Sequence, residues 1–126
     1  MLKRMRRGFT LVELMVVMAI IALLLALALP RYFKHLDMSR ETILKQDLAV
    51  MRDAIDKYHG DTGRYPDSLE ALVGARYLRS LPVDPITERP DTWLIVAPSS
   101  DDAGAMYDIK SGAPGTAHDG SAYANW

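Results

Sequence analysis

The 126-residue sequence contains no cysteine. No thiol is available for nucleophilic catalysis, for a cysteine-based zinc site or for a disulfide. Net charge is equally scarce, since 15 Lys and Arg against 16 Asp and Glu leave a formal charge of −1. That balance argues against a broad basic surface for nucleic acid. Histidine is sparse and scattered, at His35, His59 and His118. No serine–histidine–carboxylate arrangement, paired metal ligands or phosphate-binding loop stands out, so no enzyme is expected.

What the chain does have is one long apolar run. From Phe9 to Leu29 the only ionisable side chain is Glu13. A helix of that length spans about 30 Å, the thickness of one bilayer core. A charge inside such a segment costs at least about 2.5 kcal/mol, so Glu13 calls for a partner. Lys3, Arg4, Arg6 and Arg7 precede the run with no acid among them. By the positive-inside rule this end stays cytoplasmic and the remainder crosses the membrane.

Four regions follow from the pattern. Residues 1–8 form a basic leader and 9–29 the apolar helix. Arg31–His59 reads as a continuing amphipathic helix, and Gly60–Trp126 as a small region of turns, one short helix and a few strands. Leu44, Leu48, Met51, Ile55 and Tyr58 recur in steps of four and three, which places them on one helix face. That face is expected to pack on the protein's own sheet, and Gly60 to end the helix. Pro30 either separates anchor from domain or sits inside one long bent rod, and the resumed helical pattern favours the rod. Arg31, Tyr32, Phe33 and Lys34 read as interfacial anchors at the membrane exit. Beyond Gly60, residues 68–73 suggest a short helix capped by Asp67 or Ser68, and Trp93–Ala97 and Ala105–Lys110 two strands. Ser111–Trp126, rich in Gly, Ala and Ser, suggests an irregular loop. The fold class is therefore α+β: a long N-terminal helix packed on a small antiparallel sheet domain.

Gly8-Phe9-Thr10-Leu11-Val12-Glu13 resembles the processing motif of type IV pilins and type II secretion pseudopilins. The resemblance implies cleavage between Gly8 and Phe9 by a prepilin peptidase, and N-methylation of the new terminus at Phe9. It also implies that Glu13 meets the terminal amine of a neighbouring subunit, each offsetting the other's desolvation. Downstream, Tyr58–Pro66, Leu69–Val73, Tyr77-Leu78 and Leu81–Pro85 resemble the major, G-type pseudopilin, over roughly residues 1–85 in all. The aromatic-glycine-asparagine sequence expected after Asp84-Pro85 is replaced by Ile86-Thr87-Glu88-Arg89-Pro90. G-type pseudopilins bind calcium in a C-terminal loop. Here that role would fall to Asp108, Ser111, Asp119 and Asn125 with backbone carbonyls, although the tail has fewer acids than the family. The other reading of the tail is a loop pinned by Tyr123 and Trp126.

The implied partners are further copies of the chain, minor pseudopilins, the prepilin peptidase and an inner-membrane assembly platform. The implied location is the bacterial inner membrane, single-pass, with residues 30–126 periplasmic. Two other outcomes remain distinct. A minor type IV pilin for adhesion, motility or DNA uptake would share the motif. Cleavage after Ala26-Leu27-Ala28 by ordinary signal peptidase would instead release a soluble domain.

Overall fold

The computed structural model describes residues 7–99 and 101–126. Lys3, Arg4 and Arg6 of the leader lie outside the described residues. The chain divides into two compact units, Met1–Asp37 and Met38–Trp126. Its elements in order are α1 (Leu11–Thr62), α2 (Leu69–Gly74), β1 (Trp93–Val96), β2 (Asp108–Ser111) and a 3-10 turn at Tyr123–Asn125.

In the first unit α1 runs through Pro30 without interruption, as the resumed helical pattern predicts. Its most apolar stretch is long and apolar enough to cross a membrane, and none of it is buried in the chain. So large an exposed apolar surface is untenable in water and ordinary in lipid.

In the second unit Leu44, Leu48, Met51 and Ile55 are essentially inaccessible to solvent, and Tyr58 is half-buried at the end of the same stripe. They pack with Leu72, Trp93, Met106 and Ile109 in one small core. Tyr58 meets Tyr77 edge-on at 5.4 Å between ring centroids. The helix does not stop at Gly60. It continues to Thr62, whose hydroxyl donates to the Tyr58 carbonyl at 2.8 Å. Gly63 makes the exit, with φ +74° and its N–H on the His59 carbonyl at 2.8 Å. Only there does the backbone need the left-handed region that glycine tolerates. Ser68, rather than Asp67, caps α2 by accepting the Ala71 N–H at 3.1 Å.

The two strands pair antiparallel, Trp93 opposite Ser111 and Val96 opposite Asp108. The second strand starts later than its sequence suggests. The N–H groups of Ala105 and Met106 are taken by the Pro66 carbonyl, at 3.3 and 2.9 Å, and pairing begins only beyond them. The tail is more ordered than a plain loop. A bridge joins Thr116 to Ala122, and the Ala117 N–H donates to the Ser121 carbonyl at 2.7 Å.

Candidate functional site

The first candidate region is the start of α1. Thr10 and Glu13 form a reciprocal cap: the Glu13 N–H donates to Thr10 Oγ1 at 3.1 Å, and the Thr10 N–H donates to Glu13 Oε2 at 3.4 Å. Each satisfies a backbone donor that a helix start leaves without a partner. The carboxylate is thereby held near the helix N-terminus, where the macrodipole favours negative charge. Phe9, Val12, Glu13, Val16 and Val17 line an open groove of about 330 Å³ whose walls are almost wholly apolar. Gly8 and Phe9 precede the first helical turn and are exposed. The Thr-x-x-Glu spacing is itself a capping signature of a helix start.

The second region is the tail. Its four candidate calcium ligands lie apart in their chemistry. Asp108 accepts from Arg52 Nε at 2.8 Å and from the Ile109 N–H at 2.7 Å. Ser111 lies on the opposite face of β2 from Asp108, as strand alternation requires, and its hydroxyl donates to Asp84 Oδ2 at 2.6 Å. Asp119 takes the Ser121 hydroxyl at 2.5 Å and the Ser121 N–H at 2.9 Å. Those two bonds, the hydroxyl first, hold its carboxyl below the ordinary carboxylate range. Asn125 is exposed, in the 3-10 turn. No group of three or more His, Cys, Asp or Glu converges as a metal site among the described residues. This donor set does not fit a calcium ion, which takes six to eight oxygens around one point. Here Oδ1 of Asp108 and Oδ1 of Asp119 each already accept two hydrogen bonds from protein donors.

Asp84 and Arg52 are site residues that their positions in sequence did not disclose. Asp84, from the Asp-Pro turn, is fully buried. Besides the Ser111 hydroxyl it accepts the Ile86 and Thr87 N–H groups at 2.8 and 3.3 Å. Arg52 gathers Asp108 and two backbone carbonyls. Tyr123 and Trp126 pack edge-on at 5.2 Å, in line with the pinned-loop reading. His59 stacks on Tyr65 at 4.1 Å between ring centroids. Asp101 and Asp102 lie in an exposed turn.

A carboxylate-capped, lipid-suited helix whose second half carries a small α+β domain defines a subunit of the type IV pilin-like class. The comparisons agree with it. Residues 3–29 match the family described as the prokaryotic N-terminal methylation motif. Type II secretion system core protein G of Pseudomonas aeruginosa is 37% identical, covering 68% of this chain and 71% of that protein. The core protein G of Escherichia coli is 30% identical over 86% of this chain and 82% of its own length. Fimbrial protein EcpC of Eikenella corrodens is 30% identical over 96% of this chain and 82% of its own. No solved structure gives a significant match. The chain belongs to the type II secretion system core protein G family, the major pseudopilins.

Proposed function

We propose that the chain is the structural subunit of a periplasmic pseudopilus that drives protein export through a type II secretion system. The single observation that carries this reading is the Thr10–Glu13 cap at the head of a helix whose most apolar stretch is wholly unburied, on a chain of the core protein G family. In this reading a prepilin peptidase cuts between Gly8 and Phe9 and the new amine on Phe9 is methylated. Subunits wait in the inner membrane with the second unit in the periplasm. Apolar helices then exchange lipid contact for contact with one another, and the amine of one subunit meets Glu13 of the next. The pair sets register more than it adds stability. A cytoplasmic ATPase supplies the energy, while minor pseudopilins and an inner-membrane platform take part in assembly.

Intact mass of the protein from its native host tests the processing step. A mature chain starting at N-methylated Phe9 is the expected result, and one starting at Leu29 overturns the pseudopilin reading. The length of the match to a fimbrial protein favours a second reading, a minor type IV pilin. Deleting the gene separates the two. Loss of exported enzymes from the medium supports the first, and loss of surface fibres or twitching with export intact supports the second.

A further inference from the structure

Three side chains of α1 hold the tail. Glu41, Lys45 and Arg52 are spaced by four and seven residues, which brings them to one side of the helix beside the core stripe. Glu41 Oε1 accepts the His118 N–H at 2.8 Å and the Tyr123 hydroxyl at 3.0 Å. Lys45 Nζ lies over the Trp126 ring, 4.6 Å from its centroid. Arg52 does most. Its Nε donates to Asp108 Oδ1 at 2.8 Å, and one terminal nitrogen donates to the Ile109 carbonyl at 2.9 Å and the Trp126 carbonyl at 2.8 Å. One cation thus draws together a carboxylate and two main-chain oxygens from both ends of the segment 108–126.

These three oxygens are of the kind a hard divalent cation takes, a carboxylate and main-chain oxygens, but fewer than the six to eight it needs. Guanidinium suits them because its donors are fixed in a plane and its charge is permanent. The other acidic group of the tail, Asp119, is committed to Ser121, whose hydroxyl also receives the Trp126 indole N–H at 2.7 Å. We propose that in this chain Arg52 occupies the place of a bound metal, so that residues 108–126 are locked by an internal cation and their fold does not depend on calcium. The proposal rests on the geometry of residues 41–126 and holds whichever filament the chain builds.

The test uses the full-length chain in detergent micelles. Hydrogen exchange of the amides in 111–126 is measured with millimolar calcium and with excess chelator, and thermal melting is followed by tryptophan fluorescence. For the wild type both readings are expected to be the same in the two conditions. Tail protection or a melting temperature that drops on chelation overturns the proposal. Arg52→Gln keeps hydrogen-bonding capacity and loses the charge. It is expected to melt at least about 5 °C lower and to expose the tail amides to exchange. Arg52→Lys restores the charge without the fork and is expected to recover only part of that loss. An Arg52→Gln variant with wild-type tail protection also overturns the proposal. If that variant fails to accumulate, the wild-type comparison with and without calcium decides by itself.

Discussion

Ser111 donates its hydroxyl to Asp84 Oδ2 at 2.6 Å, in a place where neither residue is accessible to solvent. The same hydroxyl oxygen accepts the Ala113 N–H at 3.1 Å. The pair ties the proline-rich turn around Asp84 to β2. It also lets a buried carboxylate stand without a basic side chain, since its oxygens accept from a hydroxyl and two N–H groups. Ser111→Ala removes one donor from a buried charge and is expected to cost about 1.5–3 kcal/mol. Denaturant titration of the full chain in micelles measures it. A loss below about 0.5 kcal/mol would mean that water takes the place of the hydroxyl.

Asp47, on α1, gives the second unit a pH dependence. Burial first, and then the charge of Asp84, push its carboxyl above the ordinary value of 3.8. The folded chain therefore binds this proton more tightly than the unfolded one. Stability contributed by protonated Asp47 is complete below 3.8 and is lost as pH rises through the raised folded value. Asp47→Asn is expected to melt higher than wild type at neutral pH, with the difference closing on acidification. A variant that melts lower at neutral pH would assign Asp47 a stabilising partner instead.

Gly104 turns with φ +107°, and a Cβ there would run into the Tyr65 backbone carbonyl. The obstacle is main chain, so no rotamer change relieves it. The neighbouring Ala103 carbonyl accepts the Tyr65 N–H at 2.9 Å, which fixes the two segments against each other. Gly104→Ala is expected to cost more than the about 1–3 kcal/mol of an unfavourable φ alone. Gly115, also at positive φ but with open space around it, is the control: Gly115→Ala should lose only the conformational part. Equal losses would place the cost in φ and not in the clash.

Glu13→Ala is expected to leave membrane insertion and cleavage normal while filament yield collapses. Thr10→Ala keeps the carboxylate and removes only its capping hydroxyl, so it should assemble better than Glu13→Ala. Crosslinking of subunits in cells and intact mass read the two steps separately. Wild-type filament yield from Glu13→Ala would remove the charge pairing from the assembly scheme.

The parts of this molecule that repeat locally were legible in its sequence. The stripe Leu44–Leu48–Met51–Ile55 follows the helical period, and each member is buried. The cap at Ser68 and the strand at Trp93 carry their own residue preferences. The misread helix end turned on which glycine takes positive φ. Gly60 and Gly63 are alike in composition, and only the backbone tells them apart. Arg52 and Asp84 were hidden for a different reason. Arg52 meets an acceptor 56 residues away and another 74 away, and Asp84 meets its hydroxyl partner 27 residues away. No local pattern announces such a pairing. In the sequence Arg52 is one more polar residue off the apolar stripe, and Asp84 a turn residue ahead of a proline.

The reach of the Arg52 contacts also imposes an order of events. Leu44, Leu48, Met51 and Ile55 precede in the chain everything that covers them: Leu69 and Leu72 come first, and Trp93, Met106 and Ile109 only later. The guanidinium cannot close on both of its carbonyls until residue 126 has arrived. Folding of this unit is therefore late, and loop closures of such length are slow. During that interval the apolar stripe lacks most of its cover, and an uncovered stripe of that kind invites association with any other apolar surface it meets.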